Sequence, residues 1–199
     1  ITASHNPKEY NGYKVYWNNG AQIIAPHDTG IADCINEISS QAVWEINQKV
    51  EEPEEVLPLP ESIFEHYFQE VQRLRVHKMT GAKVVYTPLH GVGAHWVMES
   101  LARAGHDATI VPEQESPNGD FPTVQFPNPE EPGALDLAIS RAEKLEADAV
   151  IANDPDADRM AIAIPDRNGN FVKLTGDQVG LLLADYLLRY GEWGKSPLV

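Results

Sequence analysis

Asp154-Pro155-Asp156-Ala157-Asp158-Arg159 sets three carboxylates at alternate positions, with a guanidinium directly behind them. Alternate side chains of an extended or gently curved segment point to one side, so the three acids can converge on one small cavity. Unaided they would repel one another and stay partly protonated; a divalent cation removes that cost. An all-oxygen donor set of this hardness suits Mg²⁺, Mn²⁺ or Ca²⁺ and not zinc. The EF-hand calcium loop also opens on alternating aspartates, but it requires Gly at its sixth place and Glu at its twelfth. Here those places hold Arg159 and Pro165. A solvated acidic turn without a ligand is the remaining alternative. It would be a poor use of three acids flanked by apolar runs of strand length, Ala149-Val150-Ile151-Ala152 and Met160-Ala161-Ile162-Ala163-Ile164.

Three other stretches carry polar chemistry. Ile1-Thr2-Ala3-Ser4-His5-Asn6-Pro7 pairs a hydroxyl with an imidazole. Ser4 and His5 could be a nucleophile and an acid–base group, or a surface loop of hydrogen-bonding residues; no Gly-x-Ser-x-Gly elbow surrounds them. Lys14 follows Asn11-Gly12-Tyr13 and reads by default as an exposed strand lysine. Thr87-Pro88-Leu89-His90-Gly91-Val92-Gly93 lies between a strand and a helix, where anions meet helix N-termini; a tight turn is the equal alternative. Its Gly91-x-Gly93-x-x-Trp96 falls one glycine short of the dinucleotide fingerprint, and no acid ends an evident second strand, which excludes a nicotinamide site.

The elements that must position these groups are legible as alternating patterns. Asn19-Gly20 between aromatic and β-branched residues predicts a hairpin. His27 to Ser40 predicts a helix with Ile31, Cys34, Ile35 and Ile38 as its apolar stripe, which makes Cys34 a core residue. The acidic, proline-rich stretch from Glu51 to Pro60 reads as a linker or rigid surface crossing. Glu61 to His77 predicts an amphipathic helix with Phe64, Phe68, Val71 and Leu74 inward. Beyond it come a strand at Lys83–Tyr86, a helix at Ala94–Ala104 stopped by Gly105, and a strand at Ala108–Val111. A helix at Pro132–Leu145 and a strand at Asp148–Ala152 then lead into the acidic loop. Asp166 to Asn170 is a hairpin turn into Phe171–Leu174, and a last helix runs from Gly176 to Tyr190, capped by Thr175 or Asp177. Such alternation implies an α/β fold of mixed sheets layered with helices.

Composition narrows the partners. The formal charge of −15 over 199 residues argues against a nucleic-acid backbone or an anionic membrane. A phosphorylated small molecule stays open, since a few well-placed cations decide that. No apolar run reaches membrane-spanning length. The single cysteine excludes an intramolecular disulfide framework and points to a reducing cytoplasm. No signal peptide is visible. The chain opens on Ile1 inside a motif and reads as a fragment.

Taken together, Thr-Ala-Ser-His-Asn-Pro at 2–7, Asn-Gly-Tyr-Lys-Val-Tyr at 11–16 and Asp-Pro-Asp-Ala-Asp-Arg at 154–159 resemble the α-D-phosphohexomutase superfamily. The stretches at 87–93 and 121–131 look like its phosphoglucomutase/phosphopentomutase branch. The resemblance implies residues 1–58 as the later part of a first domain, 59–172 as a second domain and 173–199 as the start of a third. It implies Ser4 as the phosphoryl carrier, and Asp154, Asp156 and Asp158 as ligands of one Mg²⁺ whose shell a Ser4 phosphate oxygen completes. Arg159 is implied to touch that phosphate, Lys14 to move a proton, and His5 to assist. The implied substrate is a small phosphosugar, first of all glucose 1-phosphate interconverting with glucose 6-phosphate through a sugar 1,6-bisphosphate. A phosphopentomutase or a sugar-bisphosphate synthase shares the same machinery. The family's sugar-reading Gly-Glu-x-Ser-Gly and phosphate-clamping Arg-x-Ser-x-Thr loops are absent. The fragment alone is therefore expected to be inactive, a metal-binding α/β module. Position 157 is Ala where many relatives carry Gly.

Overall fold

The computed structural model describes residues 4–10, 14–39 and 58–191. The expectations for Thr2-Ala3, for Asn11–Tyr13 and for most of the Glu51–Pro60 crossing lie outside them. The described residues of Ile1–Gly12 and Glu65–Val199 form one compact unit, and those of Tyr13–Phe64 another.

The larger unit is organised on a five-stranded mixed sheet. Its strands are β1 (Lys83–Thr87), β2 (Asp107–Ile110), β3 (Ala149–Asn153), β4 (Met160–Pro165) and β5 (Phe171–Lys173), in the spatial order β2-β1-β3-β4-β5. β2, β1 and β3 run parallel; β4 and β5 continue the sheet antiparallel. The parallel part needs helical crossovers, and the sequence supplies them. Helix α3 (Ala94–Arg103) links β1 to β2. The short α4 (Pro112–Glu115) and α5 (Asp136–Leu145) link β2 to β3.

Burial follows each strand's place. Val84, Val85, Tyr86 and Thr87 of the central β1 are all buried, as a parallel strand covered on both faces should be. β4 alternates instead: Ala161 and Ala163 are buried, Met160 and Ile164 exposed. Against β1 and β3 packs α5, whose fully buried Ala138 and Ala142 let the helix approach closely. Val85, Val111, Leu135 and Val150 fill the same core. The helix begins four positions later than its apolar pattern predicts, because Gly133 sits at φ +81° and breaks the helical ladder.

Helix α2 (Glu61–Arg73) ends before the expected His77, where Leu74 and Arg75 N–H turn to the carbonyls of Val71 and Gln72. Phe68 is buried against Trp96, but Leu74 is exposed rather than inward. Helix α6 (Gly176–Tyr190) starts on a reciprocal cap. Gln178 N–H donates to Thr175 Oγ1 at 3.2 Å and Thr175 N–H to Gln178 Oε1 at 2.9 Å. Among the described residues no helix is long and apolar enough to cross a membrane.

In the smaller unit the Asn19-Gly20 turn closes with Gly20 at φ +75° and a bridge between Tyr16 and Gln22. Trp17 stacks on His27 at the start of α1 (His27–Ser39). The stripe expected to be core is not covered. Cys34, Ile35 and Ile38 are exposed. An amphipathic period shows that a helix has an apolar face, not that something lies on it.

Candidate functional site

Parallel pairing fixes where the loops meet. Thr87 is in register with Ala152, so β1 and β3 end together and their following loops emerge side by side. The chain leaves β1 toward β2 on one flank and returns to β3 on the other. That reversal opens a crevice at the strands' carboxyl ends, the usual ligand position in open α/β sheets.

The acidic loop occupies this crevice. Asp154 is fully buried, its Oδ1 accepting from the Arg159 backbone N–H at 3.0 Å and its Oδ2 from Ser4 Oγ–H at 2.8 Å. Ala157 N–H donates to the Asp154 carbonyl at 3.0 Å, closing a turn in which Ala157 takes the left-handed φ of +59°. One carboxylate oxygen from each of Asp154, Asp156 and Asp158 lies within 4.8 Å of the others, in a series that runs from buried through half-buried to exposed. Burial raises the Asp154 pKa above the ordinary carboxylate value. The Ser4 hydroxyl opposes that shift, and the neighbouring Asp156 adds to it. Converging oxygens, one of them desolvated, could hold a hard metal ion, which would offset that burial.

Ser4 is half-buried and left-handed at φ +57°, unusual for a residue with a side chain and frequent where strain serves a site. His5 Nδ1 lies 3.2 Å from Ser4 Oγ. Four predicted site residues, Ser4, Asp154, Asp156 and Asp158, thus come together with His5, although Ser4 and Asp154 stand 150 positions apart. The Arg159 backbone binds Asp154 while its side chain is exposed beside the loop. Lys14 belongs to the smaller unit, where it is exposed.

Loop 88–93 is a tight turn, and its role lies in what it touches: Val92 N–H donates to the Pro155 carbonyl at 2.9 Å. Tyr86 and Asn153 also enter the site. Tyr86 OH donates to Asn153 Oδ1 at 3.1 Å, and Asn153 Nδ2 to the Arg159 carbonyl at 2.6 Å. The sequence carried one signal for this group, the paired Gly91 and Gly93 after a buried strand.

The chain is similar to known proteins. Residues 65–169 match the family model of phosphoglucomutase/phosphomannomutase alpha/beta/alpha domain II, and residues 1–42 that of domain I. A probable phosphoribomutase of Schizosaccharomyces pombe is 44% identical, covering 98% of this chain and 34% of its own length. The phosphopentomutase of Mus musculus is 43% identical over 98% of this chain and 32% of its own. The glucose 1,6-bisphosphate synthase of Homo sapiens is 40% identical over 98% and 33%. The chain therefore spans about a third of the length of these relatives. In fold it is similar to a phosphoglucomutase/phosphomannomutase family protein of Burkholderia thailandensis, with a TM-score of 0.61 at 22% identity over 94% of this chain and 37% of the other. A domain II match over half of the chain and relatives above 40% identity place it in the phosphoglucomutase/phosphomannomutase family of phosphosugar mutases.

Proposed function

We propose that the protein moves a phosphoryl group between two hydroxyls of a phosphosugar, with Ser4 as its carrier. The contact between Ser4 Oγ and Asp154 Oδ2, 2.8 Å inside an acidic triad, carries this reading. Asp154, Asp156 and Asp158 would hold Mg²⁺, which when bound withdraws charge from the phosphoryl group. In the dephosphorylated state Asp154 orients the Ser4 hydroxyl, and His5 Nδ1 is near enough to exchange its proton. Arg159 presents a planar fork to phosphate oxygens. A basic side chain takes the proton of the attacking sugar hydroxyl, the role the family resemblance implies for Lys14. The bond from phosphorus to Ser4 Oγ breaks as a bond to the sugar oxygen forms, giving a sugar bisphosphate whose other phosphate returns to Ser4. Positioning and charge stabilisation carry most of such a reaction.

For the sugar, relatives named for ribose and pentose phosphates at 43–44% identity favour a pentose phosphate. Glucose 1-phosphate is the second reading, supported by the glucose 1,6-bisphosphate synthase at 40%. Both are tested by assaying purified full-length protein on ribose 1-phosphate and glucose 1-phosphate, each with a trace of the matching bisphosphate. Ser4→Ala is expected to lower turnover of the preferred sugar by about 10³-fold or more. Wild-type turnover in that variant would sink the carrier role. The 199-residue chain assayed alone is expected to bind the cation without turnover.

A further inference from the structure

The acidic loop and loop 88–93 meet through backbone atoms. A Cβ on Gly91 would lie 2.3 Å from Pro155 Cα and 2.5 Å from the Pro155 carbonyl oxygen, separations real side chains do not reach. Gly91 is not in the left-handed region, so its requirement is one of space. Its neighbour Val92 adds the N–H bond to Pro155. At the other end of the acidic loop, Tyr86 orders Asn153, and Asn153 holds the Arg159 carbonyl. A Cβ on Gly93 would lie 2.6 Å from Tyr86 OH and 3.2 Å from Ala157 Cβ, so Gly93 too is closely packed, though against side chains.

Loop 88–93 is itself held in an unfavourable shape. Leu89 at φ +46° and His90 at φ +61° are successive left-handed residues with side chains. Such conformations persist where their surroundings over-determine them, and here they do. Leu89 N–H donates to Thr87 Oγ1 at 3.1 Å, and Thr87 Oγ1–H to Gln114 Oε1 at 2.6 Å. His90 N–H donates to the Gln114 carbonyl at 3.0 Å, and Asn118 N–H to the His90 carbonyl at 3.0 Å. This bracing fixes the backbone that presents Gly91 and Val92 to Pro155.

We propose that Gly91, Val92, Tyr86 and Asn153 are positioning residues of the acidic loop, holding both of its ends so that the three carboxylates stand at cation-binding separation before an ion arrives. The proposal rests on the metal reading given above. Outer groups of this kind commonly change metal affinity by roughly 10–100-fold.

The test titrates MgCl₂ and MnCl₂ into the 199-residue chain by calorimetry, as wild type, Gly91→Ala and Tyr86→Phe. Hydrogen exchange of the Val92 and Arg159 amides is followed in metal-free samples, with melting curves as the control for folding. Gly91→Ala is expected to lower affinity about tenfold or more and Tyr86→Phe several-fold. In both, the Arg159 amide exchanges faster, and in Gly91→Ala the Val92 amide does too, while the amides of β1 and β3 keep their protection. Should Gly91→Ala fail to fold, Tyr86→Phe, which removes one oxygen, decides. Folded variants with wild-type affinity and exchange would overturn the proposal. A wild-type chain that binds neither ion would overturn the metal reading and this proposal with it, a result distinguished by the wild-type titration alone.

Discussion

Two successive connections of one sheet begin with an aspartate and treat it oppositely. Asp154 opens the β3–β4 loop, fully buried, and desolvation raises its pKa. Asp166 opens the β4–β5 hairpin in solvent. Backbone N–H groups of Asn170 and Asn168 donate to its Oδ1 at 2.9 and 2.7 Å and hold its pKa below the ordinary value. The hairpin thus answers its own charge, through an Asx turn of the kind that sets many β-turns. The β3–β4 loop instead gathers three carboxylates, with one oxygen of each within 4.8 Å of the others.

The largest effect expected from breaking this contrast belongs to Asp154→Asn. It should lower Mg²⁺ affinity by about 100-fold, since a charged ligand is lost from the buried end of the triad; unchanged affinity by calorimetry would refute the metal role. The pH dependence sharpens the same point. A raised folded pKa means that the protonated form of Asp154 stabilises the metal-free chain below pH 3.8, and that this contribution disappears as pH rises through the elevated value. Cation and proton compete for that oxygen, so the rise in melting temperature caused by Mg²⁺ should shrink as pH falls through the raised value, and the Asn variant should lose this dependence.

Asp166→Ala comes next, with the opposite signature. Its lowered pKa gives stability that is present above the unfolded value of 3.8 and lost as pH falls through the folded value. The variant should melt a few degrees lower at pH 7, on the order of 1–3 °C, with the gap to wild type closing in acid and Mg²⁺ affinity unchanged. Altered affinity would mean that the two connections are coupled. The smallest effect is Ala157→Gly. Relief of a left-handed alanine is partly cancelled by the flexibility glycine adds to the unfolded chain, leaving a gain on the order of 0.5 kcal/mol, readable as a small shift of the urea midpoint. A loss of stability would show that the alanine methyl packs where the conformation alone says it strains.

These connections also mark how far sequence reaches. The strands flanking the acidic loop, the Asp166–Asn170 turn and the Thr175 cap are local patterns, and each appears where its residues predict. The meeting of Ser4 with Asp154 is not local, and in the sequence only family resemblance links the two segments. Gly91 was visible as a glycine but not as a requirement, because what a Cβ would strike belongs to a neighbouring strand's loop. Cys34 misled for a related reason: its stripe has the right period, and only the tertiary structure shows that it is uncovered.

The 150-residue span between Ser4 and Asp154 also has a consequence for biosynthesis. At ribosomal speeds of about 5–20 residues per second, roughly 8–30 seconds separate the synthesis of the hydroxyl from that of the carboxylate that receives its hydrogen bond. During translation the serine waits without this partner, and only emergence of the third strand and the turn beyond it can complete the contact.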